Sequence, residues 1–322
     1  MFNIDWHISF RNGSKKYRLG ILAGLTVNAA ITNLADTAEI RVPGTVLNER
    51  LSLEDMLPRG TEVEIRAGYD GKPNYLFGGY VKDITDKNGQ TVIRCEDALF
   101  LFRRPVGDKQ FNGVSICGIA AYLTGQIDAS FGVSCDYTIT YEKFIIRNAT
   151  GYDVLKKLSD ETKADIWFDN QNKVLHIHPP YTSMGDRKVF SFQHNIEKSS
   201  LEWIGPGDEK QEVVVESTDI QGHVRRITEG TTGGDRMVIK TGPMSEASMR
   251  QIAREVLRKQ QSGRYKGSFD AWLVPHVRPG DEVLIADADY PDRKGIYLVE
   301  AVRTQIGPQG GRQTITPGIK LS

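Results

Sequence analysis

A six-residue pattern occurs twice, far apart in the chain, and an internal repeat constrains architecture more than any local propensity does. Residues Gly60 to Ile65 read G-T-E-V-E-I, then come a turn at Tyr69-Asp70-Gly71-Lys72 and the pair Tyr80-Val81. Residues Gly280 to Ile285 read G-D-E-V-L-I, followed by Asp289-Tyr290-Pro291-Asp292 and by Tyr297-Leu298-Val299. Side chains alternate along a strand, so Val63 and Ile65 face one way, as do Val283 and Ile285. Two related β-barrels would produce this pattern. So would two unrelated strands entered from a turn, and spacing alone leaves both open.

Hairpin signals surround the repeats. Runs rich in Val, Ile, Thr and Tyr flank Asn88-Gly89, Gln221-Gly222 and Pro308-Gln309-Gly310-Gly311, the residue types that tight turns require. The middle differs. Ile116, Ile119, Ala120, Leu123 and Ile127 have helical spacing, and a second helix follows Thr150, which with Asp153 forms a capping-box signature. A hairpin of Ala164 to Asp169 and Lys173 to His178 comes next, ended by Pro179-Pro180. A third helix, about 245–262, carries the apolar stripe Met249, Ile252, Ala253, Val256 and Leu257, with Ser245 to start it and Gly263 to stop it. The expected fold is mainly β (α+β): two similar β-barrels, at 1–105 and 186–322, with a small α+β domain inserted at 106–185. At 322 residues the chain has room for two or three such units.

Composition excludes several functions. Lys plus Arg and Asp plus Glu are both 41, so no net field draws in nucleic acid or an anionic membrane. The most apolar run, Leu19 to Ala35, is interrupted by Thr26, Asn28, Thr32 and Asn33 and does not read as a membrane span. Met1 to Phe10 carries Asp5 and His7 where a secretion signal would be basic, so no signal peptide is expected. Cys95, Cys117 and Cys135 are odd in number and form no CxxC pair, which predicts reduced, mostly buried thiols.

No catalytic, cofactor-binding or metal-binding residues are expected. His176 and His178 share a strand face without a third ligand at metal-site spacing. Asp287, Asp289 and Asp292 lack the Gly and Glu of a calcium loop and read as a solvated tip. Gly230 to Asp235 lacks the Gly-Lys-Ser/Thr ending of a phosphate loop and reads as a flexible link. Ser115 misses the nucleophile-elbow pattern, because Cys117 stands where a Gly belongs, and reads as a helix cap. Glu54 with Asp55, and Asp160 with Glu161, read as solvated charge. The helix face of Arg250, Arg254, Arg258 and Lys259 suits ion pairing or a subunit contact better than DNA.

Taken in order along the chain, three stretches resemble the tail baseplate hub proteins, a family that includes late control protein D and the N-terminal hub portion of VgrG spikes. They are Asp36 to Pro43, Gly60 to Gly71 leading to Leu76-Phe77-Gly78-Gly79-Tyr80-Val81, and Val277 to Val283 running through Gly295 to Val299 and on to Ser322. The resemblance implies a non-enzymatic homotrimeric ring with pseudo-six-fold symmetry. Such a ring joins a hexameric tail tube or distal tail proteins above to a trimeric central spike below and forms the conduit between them. It also implies a place in the virion tail baseplate, assembled in the cytoplasm of a host bacterium. The chain stops at Ser322, so needle and lytic functions are expected on other chains. Two rivals remain: a peptidoglycan-processing tail enzyme, which needs a buried carboxylate pair, and a receptor-binding tail adhesin, which needs exposed aromatics such as Tyr69, Tyr75 and Tyr290 at loop tips.

Overall fold

The computed structural model describes residues 3–46, 49–50, 53–87, 89–207, 210–219 and 221–322. Asn88, first residue of the predicted Asn88-Gly89 turn, lies outside them, although the strands it joins form as expected. The first part contains β1 (Ile4–Asn12), β2 (Lys15–Arg18), β3 (Gly24–Ala30), β4 (Thr37–Pro43), β5 (Thr45–Val46), β6 (Glu49–Arg50), α1 (Leu53–Met56), β7 (Glu62–Tyr69), β8 (Lys72–Lys87), β9 (Gln90–Glu96) and α2 (Leu99–Phe102). The middle holds β10 (Lys109–Ser115), α3 (Ile116–Ile127), β11 (Gly132–Cys135), β12 (Thr140–Ile146), α4 (Gly151–Thr162), β13 (Asp165–Asp169) and β14 (Val174–His178). The last part has β15 (Arg187–Ser191), β16 (Lys198–Ser199), β17 (Glu202–Ile204), β18 (Gln211–Thr218), β19 (Val224–Gly230), β20 (Asp235–Thr241) and α5 (Glu246–Gln261). It ends with β21 (Arg264–Lys266), β22 (Phe269–Ala271), β23 (Glu282–Ala286), a short 3-10 helix, β24 (Gly295–Gly307) and β25 (Gly310–Lys320). The protein is mainly β, as the hairpin signals require.

The repeat is larger in three dimensions than in sequence. In the first part β3 pairs β4, β4 pairs β9, β9 pairs β8 and β8 pairs β7. In the last part β16 and β17 pair β22 and β21, both of those pair β25, β25 pairs β24, and β24 pairs β23. The details coincide. Gly60 N–H donates to the Val81 carbonyl (2.8 Å) and Val81 N–H to the Thr61 carbonyl (2.8 Å); Gly280 N–H donates to Val299 (2.9 Å) and Val299 N–H to Asp281 (2.9 Å). A register shift follows each time, between Val81 and Asp83 on β8 and between Val299 and Ala301 on β24. Leu25 opposite Ile40 corresponds to Ser199 opposite Phe269, and Asn28 opposite Thr37 to Glu202 opposite Lys266. The two repeats are continuous within the chain, because Ala301 to Ile306 of β24 pair with Ala30 to Leu25 of β3.

This correspondence locates an insertion. Where the first repeat links β3 to β4 through residues 31–36, the second carries β18, β19, β20 and α5 between β17 and β21. The inserted sheet and helix pack onto the middle: Val213, Val215, Ile239, Met249, Ile252, Ala253, Val256 and Leu257 share one apolar cluster with Leu123, Leu155 and Ile166. All five residues of the predicted α5 stripe are buried, the four larger ones each contributing ~1.5–3 kcal/mol and Ala253 less, before the entropy of ordering is subtracted. Ser245 caps the helix by accepting from Ser248 N–H (3.2 Å). Gly263 is not a left-handed cap. Ser262 closes the helix with extended backbone, and Gly263 is small because a side chain there would meet the Trp203 ring at 2.6 Å.

Two further expectations change. Residues 231–234 are a pinned crossover, since they pass over the start of β18, where Thr231 N–H donates to Gln211 (2.9 Å) and Asp235 N–H to Lys210 (2.8 Å). Cys117 and Cys135 are not reduced thiols but a disulfide. Packing of α3 against β11 brings its first turn to the end of that strand, an adjacency that linear spacing does not reveal. Cys95 is free and buried, as expected. Among the described residues no helix is long and apolar enough to cross a membrane.

Candidate functional site

Three parts of the chain meet at a cleft of about 310 Å³. The β3–β4 corner supplies Asp36, β8 supplies Tyr75 to Gly78, β13 and β14 supply Trp167 and His176, and the turn before β23 supplies Arg278 to Asp281. Its polar groups already have partners within the fold: Asp36 accepts the Ala30 N–H, Asp281 accepts those of Asp186 and Arg278, and Tyr75 lies under arginine side chains. Arg66 and Arg278 lie over the Tyr75 ring at 5.7 and 5.6 Å, and burial raises the pKa of the Tyr75 hydroxyl.

His176 and His178 do share a face, as read from sequence. His176 stacks on Trp167 with centroids 3.9 Å apart, its Nδ1 is 3.2 Å from His178 Nε2, and His178 Nδ1 is 2.6 Å from Asp136. Burial, with His178 beside it, pushes His176 down to about 4, so its imidazole is neutral at pH 7. Among the described residues no three His, Cys, Asp or Glu side chains are grouped to hold a metal ion. The row is a stacked, hydrogen-bonded polar seam.

Sequence reading missed a carboxylate pair. Asp36 accepts the Ala30 N–H (3.0 Å), and Asp97 accepts those of Asp36 (3.0 Å) and Leu99 (2.9 Å). Burial pushes Asp36 up to about 7; Asp97 is raised as well, by burial and then by Asp36. Both carboxylates hold main chain, tying the β3–β4 corner to the start of α2. The only sequence signal was an Asp before a strand and another before a short helix.

The remaining candidates are dispersed. Ser115 caps α3 by accepting from Gly118 N–H (3.1 Å). Glu54 and Asp55 are exposed on α1. Asp160 pairs with Lys156 (3.1 Å), whereas Glu161 turns inward toward Tyr141, where burial raises its pKa. Asp287 accepts from Asp289 and Tyr290 N–H (3.0 and 3.2 Å) at a hairpin tip; the Asp292 side chain is outside the described set. The basic face of α5 is paired within the chain: Arg250 with Glu229 and Glu246, Arg254 with Glu229, Arg258 with Glu255 and Lys259 with Glu300. Of the three tyrosines, Tyr69 is 5% exposed and donates to the Gly311 carbonyl (2.8 Å). Tyr75 lines the cleft, and Tyr290 is 50% exposed.

The arrangement is a joint between parts of the chain. No protein-family model and no curated protein sequence matches the chain. Solved structures do. A tail protein of Neisseria meningitidis superposes with TM-score 0.65 at 15% identity, over 98% of this chain and 96% of that one. A 43 kDa tail protein of a Shewanella oneidensis prophage gives 0.65 at 13%, over 97% and 98%. An Escherichia coli type VI secretion component, itself described as similar to the T4 bacteriophage tail proteins gp27 and gp5, gives 0.60 at 12%, over 98% and 77%. The fold is that of phage tail proteins and their type VI secretion counterparts, the class with which the sequence resemblance agrees.

Proposed function

We propose that this protein is the structural hub of a phage-type tail baseplate: a homotrimeric ring of pseudo-six-fold symmetry that joins a hexameric tail tube to a trimeric central spike and forms the conduit between them. It acts mechanically, without catalysis, in the virion tail after assembly in the host cytoplasm. The chain divides into an N-terminal barrel lobe at 1–105, an α+β unit at 106–185 and a C-terminal barrel lobe at 186–322, with the β18–β20 and α5 insertion of the second lobe resting on the middle unit.

One observation carries the reading. A chain that presents the same strand arrangement twice, as the meanders entered at Gly60 and Gly280 do, gives a closed three-chain ring six similar positions. Such a ring can meet six-fold and three-fold partners together. Electron microscopy of the purified protein tests this directly. Three-fold particles with six peripheral lobes around an opening are expected, and compact particles without an opening at any concentration overturn it.

A further inference from the structure

The contact between repeats inside the chain has a counterpart that the chain leaves open at both ends. Within the chain, the second repeat meets the first where Ala301 to Ile306 of β24 pair antiparallel with Ala30 to Leu25 of β3. The equivalent of β24 in the first repeat is β8, with Asp83 in the place of Ala301, directly after the matching register shift. Beyond Val81, β8 pairs only with β9 among the described residues; β7 ends opposite Tyr80. Lys82, Thr85 and Lys87 are exposed. The equivalent of β3 in the second repeat is the run from Lys198 to Ile204, and among the described residues β16 and β17 pair only on the side of β22 and β21. Ser200 N–H donates to Ser268 (2.9 Å) on that same side, and Ser199, Ser200 and Glu202 are exposed.

We propose that these two edges pair between chains: Asp83 to Lys87 of one copy lie antiparallel to Ser200 to Ile204 of the next, reproducing the β24–β3 contact. The inference rests on the ring reading and names its seam. Carrying over the intrachain register, in which Ala301 faces Ala30, Val302 faces Ala29 and Arg303 faces Asn28, sets Asp83 opposite Ile204, Ile84 opposite Trp203 and Thr85 opposite Glu202. Ile84 packs against the first core and Trp203 against the second, so the apolar pair falls on the buried face. Glu202 then lies diagonally across from Lys87, a favourable cross-strand charge pair. An uncovered strand edge invites another strand, and neither run contains proline, so each can complete a ladder. The second copy is the occupant because each edge is the structural equivalent of one already paired inside the chain.

The test is a cross-link in register. Directly opposed residues in antiparallel strands sit about 4.5–5.5 Å apart between Cα atoms, within disulfide range, whereas diagonal neighbours are about 7–8 Å apart. The full-length double variant Thr85→Cys/Glu202→Cys is oxidised and run without reductant, alongside each single variant and the displaced pair Lys87→Cys/Glu202→Cys. All three sites are exposed, Cys95 is buried and the other native cysteines are bonded to each other, so neither folding nor a native thiol confuses the result. At least about tenfold more covalent trimer is expected from the Thr85 pair than from any control, because only that pair falls within bonding distance. A trimer by light scattering that cross-links no better than the displaced pair overturns the seam and leaves the ring standing. A protein that stays monomeric and forms no cross-link overturns both.

Discussion

Gly60 and Gly280 adopt the same left-handed backbone, φ 90° and 88°, at the entry to equivalent strands 220 positions apart. At each, the glycine N–H reaches across to a valine carbonyl on the neighbouring strand, a turn that a residue with a Cβ enters only with strain. A Cβ would find space at both, no closer than 3.7 Å to Phe100 at Gly60 and 4.0 Å to Ile31 at Gly280. Conformation alone therefore sets the cost. Gly60→Ala and Gly280→Ala should each lose about 1–2 kcal/mol in urea unfolding, and by similar amounts. A large difference between the two would mean that the turns are not equivalent.

The repeat was legible where it kept its residues, at G-[TD]-E-V-x-I, because turn chemistry and alternation both constrain those positions. Its other half was not. Leu25 corresponds to Ser199 and Asn28 to Glu202; strand pairing uses main-chain groups and leaves such residues free to differ. The insertion between β17 and β21 also separates strands that are neighbours in the first repeat. The helices were legible from their caps, Ser115, Thr150 and Ser245, since capping is local. The Cys117–Cys135 bond and the Asp36–Asp97 contact were not, because each joins elements whose adjacency arises only on folding.

The disulfide should matter to the middle of the chain. It closes a loop over a separation of 18 residues, for which the loss of unfolded-chain entropy predicts about 3 kcal/mol. Reduction, or Cys117→Ser, should lower the unfolding midpoint correspondingly. Cys95 should stay unlabelled by a thiol reagent in the native protein, because it is buried and its pKa is raised. Labelling of Cys95 at the rate of an exposed thiol would contradict the packing of β9.

The carboxylate pair gives stability a defined pH dependence. Burial lifts Asp36 from 3.8 to about 7, so the folded state holds this proton more tightly than the unfolded chain. The resulting stabilisation is complete below the unfolded value near 3.8 and disappears as pH rises through about 7. Asp36→Asn keeps an oxygen for the Ala30 N–H and removes the titration. Between pH 5 and pH 8 the wild type should therefore lose more stability than Asp36→Asn, measured as the shift in urea midpoint. Parallel curves for the two would show that Asp36 stays ionised in the fold.

The crossover at residues 231–234 separates two costs that a glycine can avoid. Gly233 has φ 78° and open space where a Cβ would go, whereas Gly230 has φ 105° and a Cβ there would run into the Gln211 carbonyl oxygen. Gly233→Ala pays only for backbone strain, about 1–2 kcal/mol. Gly230→Ala adds a collision with main chain at the start of β18, which the central strand of its sheet cannot escape by rotating a side chain. Breaking that contact would also disturb the Thr231 N–H bond to Gln211. Its loss should exceed that of Gly233→Ala by at least about 2 kcal/mol, the scale of a buried polar group left without its partner. Hydrogen exchange should show the difference in β18 and β20. Equal small losses at both positions would restore the flexible link expected from composition, because a loose loop would absorb either methyl group.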